Sequence, residues 1–166
     1  RCLISTMTQP AVDDGTTSST SSVNPVTTYT WNSYGQLLTR TDPTGREVRN
    51  GYNATTRYLE TVTVENGSSD IVTSFGRNAV GDITSVTDPR GLVTSYLYDG
   101  NRKVIQVTSP DSGVTKYTRR GDGQILTSTD AKNQTTQFEY TPGGRVNKIT
   151  FADGKVQTYA YGANGT

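Results

Sequence analysis

At 166 residues the chain is long enough for one ordinary domain, but only 31% is hydrophobic and 19% charged, which argues against a thick globular core and for a thin or layered architecture. A net charge of +1 on scattered Lys and Arg gives no footprint for nucleic acid or an anionic membrane surface; with no histidine and one cysteine, Cys2, the commonest general base, most metal chemistry and an internal disulfide are excluded. No apolar run approaches the roughly 18 residues of a membrane span, no leader pattern opens the chain, and no long stretch recurs at three and four positions, so the sequence predicts an almost purely β protein without cofactor, metal or membrane span.

In chain order, Ile4 to Pro10 (ISTMTQP) aligns with Val104 to Pro110 (VIQVTSP), so residues 1–10 are predicted to form the second strand of a preceding partial repeat. Residues 11–25, with Asp13-Asp14-Gly15 and a Thr/Ser run, predict a flexible polar loop. Residues 26–154 carry about six repeats with a period of about 21 residues, and residues 155–166 begin another unit and stop at its first turn. With half-units at both ends and no capping repeat, the expectation is a piece of a much longer protein.

Stacking the units aligns a first aromatic column, Tyr29, Asn50, Phe75, Tyr96, Tyr117, Phe138 and Tyr159. Two residues on is a second, Trp31, Tyr52, Arg77, Tyr98, Arg119, Tyr140 and Tyr161. The step from Tyr52 to Arg77 alone is four residues longer, and the extra residues are assigned to the polar run Glu65 to Asp70, since insertions belong in loops. A turn glycine follows at Gly35, Gly81, Gly123, Gly144 and Gly165, with Thr56 and Arg102 in its place elsewhere. An apolar column comes next, Leu37, Tyr58, Ile83, Val104, Ile125 and Val146, then a threonine column from Thr41 to Thr150. Each unit ends in a second turn, Asp42-Pro43-Thr44-Gly45 or Asp88-Pro89-Arg90-Gly91, varied later in the chain.

Both turns have a physical basis. Asp or Asn accepts a backbone hydrogen bond two residues on, Pro presets its own backbone angle, and Gly takes the positive φ that closes the turn. Four-residue connections around type I turns are expected, joining strands of about six or seven residues. Alternation puts Thr94, Tyr96 and Tyr98 on one face and Val93, Ser95 and Leu97 on the other, and Tyr96, Tyr117, Phe138 and Tyr159 are expected to form an aromatic row across the sheet.

The segments Tyr96-Leu97-Tyr98-Asp99, Gly35-Gln36-Leu37 and Thr41-Asp42-Pro43-Thr44-Gly45 resemble the YD repeats of the Rhs family, related to arrays in insecticidal toxin-complex proteins and teneurins. The resemblance covers about residues 26–166; Asn50, Arg77 and Arg119 depart from it in the aromatic columns. It implies tandem antiparallel β-hairpins forming one long twisted or spiralling sheet, a segment of a hollow shell. It also implies a secreted or cell-surface parent protein whose remaining YD repeats and C-terminal toxin or effector domain are this segment's partners. In bacterial members a separate core segment closes the shell and an aspartate-dependent self-cleavage there frees the toxin. The Asp-Pro motifs here recur in phase at turns instead.

A glycosidase would need two carboxylates about 5 to 10 Å apart in a cleft. Asp42, Asp88 and Asp130 recur at turns, whereas a catalytic group is needed once, so no catalytic residue is assigned. A rival reading is a cell-surface adhesin or carbohydrate-binding array, with a glycan stacked on an outward-facing Trp31 and tyrosines. Edge-to-edge self-association of open strands is the other expected contact.

Overall fold

The computed structural model describes residues 3–8 and 25–162. The polar loop assigned to residues 11–25 therefore lies almost wholly outside the described residues, as do Cys2 and Gly165. Among the described residues every regular element is a strand. These are β1 (Thr6–Thr8), β2 (Val26–Trp31), β3 (Leu37–Thr41), β4 (Glu47–Tyr52), β5 (Leu59–Val64), β6 (Ile71–Arg77), β7 (Ile83–Thr87), β8 (Val93–Tyr98), β9 (Val104–Ser109), β10 (Gly113–Arg119), β11 (Ile125–Thr129), β12 (Thr135–Tyr140), β13 (Val146–Thr150) and β14 (Val156–Thr158). The order across the antiparallel sheet follows the chain from β1 to β14, and these two strands do not pair with each other.

The contacts divide the chain into two units, Arg1–Gly76 with Thr87–Arg90, and Arg77–Val86 with Gly91–Thr166. Neither has a hydrophobic core: among the described residues only Thr27 is buried, at 2% exposure. That is the outcome of a composition rich in Thr, Ser, Gly and Tyr, because a single pleated layer of such residues leaves each side chain half in water.

Register explains the two faces. In the first unit Tyr29 opposes Arg40 and Arg40 opposes Val48, and the next first-column residue, Asn50, lies two positions beyond Val48. In the second unit Tyr96 opposes Val107 and Val107 opposes Thr115, with Tyr117 two positions beyond. Phe138 likewise opposes Ile149, which opposes Gln157, two positions before Tyr159. Equivalent residues are therefore offset by two per hairpin, and a strand carrying Val107, Ser128 or Ile149 separates successive aromatics. The aromatic row is diagonal and interleaved, so its members are not direct cross-strand pairs. The opposite face is polar and more exposed in β10 and β12, where Lys116, Thr118, Gln137 and Glu139 are exposed while Tyr117, Phe138 and Tyr140 are half-buried.

Pairing also relocates the four extra residues. Trp31 opposes Leu37, Tyr98 opposes Val104 and Tyr140 opposes Val146, but Tyr52 opposes Leu59, so the turn after Tyr52 holds one residue more than the others. Leu59, not Tyr58, occupies the apolar column, and the positive φ falls on Arg57 at 65°, not on Thr56. The remaining extra residues fall between Thr63 and its partner Val72. Sequence columns alone could not separate a one-residue turn expansion from a longer loop insertion.

Candidate functional site

Most first turns are three-residue loops, tighter than the predicted four-residue connections, while the Asn53 turn keeps four, closed by Asn53 N–H on the Tyr58 carbonyl and Arg57 N–H on that of Asn53. Asn32 N–H donates to the Gln36 carbonyl and Gly35 N–H to that of Asn32, leaving Ser33, Tyr34 and Gly35 at the tip. The same pair of bonds recurs at Asn78, Asp99, Arg120 and Thr141, and at the second turns of Asp42, Asp130 and Phe151. The third loop residue is left-handed: Gly35 at 78°, Gly81 at 91°, Gly123 at 91°, Gly144 at 80°, and Gly45 at 88°, with Arg102 at 61° and Asn133 at 60° in the glycine position. Gly91 closes the Asp88-Pro89 turn at 82°. This is the three-residue hairpin whose αL residue makes a bulge.

Where the residue after the second column is Asp or Asn, it caps its own turn. Asp99 Oδ1 accepts from the backbone N–H of Asn101 and of Lys103, both at 2.9 Å, Asn32 Oδ1 from Tyr34 and Gln36, and Asn78 Oδ1 from Val80 and Asp82. Asp42 does this in the second turn for Thr44 and Arg46, and Asp130 for Lys132 and Gln134.

A second irregularity lies beyond five of the first turns. Pairing slips by one residue between Thr30 and Trp31, Gly51 and Tyr52, Leu97 and Tyr98, Thr118 and Arg119, and Glu139 and Tyr140. The second strand thus carries an extra residue just after its apolar-column member, and a bulge of this kind interrupts the ladder. The carbonyl at that break is capped from the next repeat. Tyr52 Oη donates to the Leu37 carbonyl at 3.0 Å, Tyr98 to Ile83 at 2.6 Å, Tyr140 to Ile125 at 2.7 Å and Tyr161 to Val146 at 2.6 Å. Arg119, in the tyrosine position, donates from Nε to Val104 at 3.0 Å, and Asn50 adds a bond to Leu37 at 3.0 Å. Trp31 Nε1 donates to the Ile4 carbonyl at 2.8 Å, which puts Ile4 in the position of Val104. Side chains of three chemistries reach the same acceptor; the column selects for a long donor.

A third link joins successive turn tips. Gln36 Nε2 donates to the Arg57 carbonyl at 2.7 Å, and Gln124 Nε2 to that of Gly144 at 2.8 Å. Where Asp82 replaces Gln, Arg102 grips it through Nε at 2.9 Å and Nη2 at 2.6 Å. The Arg57 guanidinium lies 3.9 Å from the Tyr34 ring centre and donates to its hydroxyl.

The carboxylates serve turns and ion pairs. The Thr44 hydroxyl, Arg102, Arg120 and Lys155 respectively hold Asp42, Asp82, Asp122 and Asp153 below the ordinary carboxylate range. A general acid requires a shift the other way. No group of three His, Cys, Asp or Glu that could hold a metal ion occurs among the described residues. The indole N–H of Trp31 is already engaged by the Ile4 carbonyl, which removes it as a donor to a bound sugar. In the second unit an open groove of about 830 Å³ lies between the Asp130 and Phe151 turns, flanked by Gln134, Asp153 and Lys155.

Of the residues picked from the sequence, Tyr52, Tyr98, Tyr140, Tyr161 and Trp31 form the inter-repeat bonds, and Asp42 and Asp99 cap turns. Asp88 Oδ1 accepts from the Arg90 N–H at 2.8 Å. Sequence reasoning missed the carbonyl acceptors, the bulges and the Gln-to-tip bonds; Gln36 and Gln124, each following a turn glycine, were the available signal.

The RHS Repeat family profile matches residues 77–117 and 121–156. No curated protein matches the chain. Among solved structures, the crystal structure of TcdB2-TccC3-TEV superposes with a TM-score of 0.67 at 16% identity, covering 85% of this chain and 9% of that one. The crystal structure of TcdB2-TccC3 without its hypervariable C-terminal region gives a TM-score of 0.58 at 15% identity, covering 85% of this chain and 10% of that one. The chain thus spans about a tenth of the length of the structures it matches, and the likeness is one of fold.

Proposed function

We propose, given that this chain belongs to the Rhs/YD-repeat family, that it is a wall segment of a shell enclosing or displaying a C-terminal toxin or effector domain of a larger secreted protein. The chain is a structural stretch of Rhs repeats; the enclosed domain is the inference. The observation that carries it is the repeated bond from the second-column side chain to the preceding hairpin's carbonyl, made by Trp31, Tyr52, Tyr98, Arg119, Tyr140 and Tyr161. At these six positions a repeat is fastened to the one before it by a polar bond, without a hydrophobic core among the described residues, which suits an extendable wall more than a domain built around a pocket. One of the matched structures is of a protein from which a hypervariable C-terminal region has been left out, and such a region is consistent with cargo carried downstream of a wall of this kind.

The repeat-defining residues, from Tyr29 and Phe75 through Pro43 and Pro89 to Tyr159, would on this reading be structural throughout. Limited proteolysis of the intact parent protein tests enclosure. The C-terminal domain should resist a protease that digests the same domain expressed alone, and equal digestion of the two would reject the reading.

A further inference from the structure

Three Asn-Gly pairs occur in the sequence, Asn50-Gly51, Asn66-Gly67 and Asn164-Gly165, the last outside the described residues. The first two differ sharply in setting. Asn50 and Gly51 are paired in β4 opposite Val62 and Thr61, and the Asn50 amide donates to the Leu37 carbonyl. A Cβ on Gly51 would meet Thr61 Oγ1 at 2.2 Å, so that backbone is closely covered. Asn66 and Gly67 are both exposed, in the connection between β5 and β6. Gly67 has a φ of 62° with nothing within 4 Å of a Cβ position, and the Asn66 carbonyl only accepts a 3.3 Å bond from Ser69 N–H. The turn asparagines Asn32, Asn53 and Asn78 spend their amides on side chains and their side-chain carbonyls on backbone donors.

We propose that Asn66-Gly67 is a site of spontaneous backbone modification. The Gly67 nitrogen bonds to Asn66 Cγ, the Cγ–Nδ2 bond breaks, and the Gly67 amide proton departs with the leaving nitrogen as ammonia. Water then adds to either carbonyl of the five-membered imide and breaks one of its two C–N bonds, giving aspartate or isoaspartate. Glycine permits the attack because no side chain shields its nitrogen, and the turn supplies the freedom to close the ring that a paired strand denies. The product is a new carboxylate between Glu65 and Asp70, where Arg49 pairs with Asp70 and Arg46 Nε donates to the Glu65 carbonyl at 3.3 Å. In the isoaspartate form it also lengthens the backbone of that connection.

Incubating the 166-residue chain at mildly alkaline pH, with timed peptide mapping by mass spectrometry and enzymatic isoaspartate labelling, tests the proposal. Conversion at Asn66 should outpace that at Asn50 by about tenfold or more, since the strand must first open locally. Asn66→Gln should abolish the signal from that peptide. Equal rates at Asn50 and Asn66, or retention of the Asn66 amide while Asn101-Arg102 converts, would overturn it.

Discussion

The Tyr98 hydroxyl donates a 2.6 Å hydrogen bond to the Ile83 carbonyl, fifteen residues back along the chain. The same fifteen-residue reach recurs from Tyr52 to Leu37, Tyr140 to Ile125 and Tyr161 to Val146. A tyrosine in this column thus acts on the hairpin before its own, while the Asp or Asn after it acts on its own turn.

Tyr98→Phe keeps the ring and removes only that donor. The Ile83 carbonyl is left uncapped, and the loss should be about 1 kcal/mol. Hydrogen exchange should localise it, with faster exchange in β7 and β8 and little change in β12. Uniform loosening of all strands would show that the bond is not the local fastener described here.

Gly45 and Gly100 make a controlled pair. Neither has anything within 4 Å of a built Cβ, but Gly45 sits at φ 88° and Gly100 does not adopt a positive φ. Gly45→Ala should therefore cost about 1–2 kcal/mol, and Gly100→Ala far less. Urea denaturation of the two variants gives the comparison; equal costs would mean that backbone handedness is not what the turn glycine supplies.

Trp31 is the sole tryptophan and ties β2 to the stretch before β1 through Ile4. Trp31→Phe should release β1, a strand of three exposed residues, while β3 to β5 keep their protection. Exchange rates at Met7 and Thr8 decide the point, and unchanged rates there would rule out the indole as the anchor.

The Asp82 carboxyl is held below its ordinary range by Arg102 and then by Asn78. A depressed folded-state value means that the stabilisation is full above the unfolded-state pKa and is lost as pH falls through the folded one. Asp42, Asp122 and Asp153 shift in the same direction, so acid should weaken the chain at several turns together. Asp82→Asn should flatten part of the acid limb in a stability-against-pH series, and an unchanged limb would remove Asp82 from the account.

Much of the fold was legible because its signals are local. Asp42-Pro43-Thr44-Gly45 announces a turn through the chemistry of four adjacent residues, and the aromatic columns mark strands by their spacing. What escaped was non-local. Nothing adjacent to Tyr98 names the Ile83 carbonyl as its partner, because the acceptor is a backbone group of the preceding hairpin, fifteen residues back along the chain. The displacement of Tyr58 by Leu59 had the same origin: the columns count residues, and pairing alone shows in which turn the extra one is housed. Arg102 was seen as a departure from the glycine column, yet its guanidinium compensates the left-handed backbone with the grip on Asp82.

The most direct measurement is a cryo-EM reconstruction of the intact parent protein. These strands should lie in the wall of a closed shell, with the second-column tyrosines on the preceding repeat's carbonyls and density for the C-terminal domain inside. Strands displayed on an open surface, with the C-terminal domain folded and free in solvent, would contradict it.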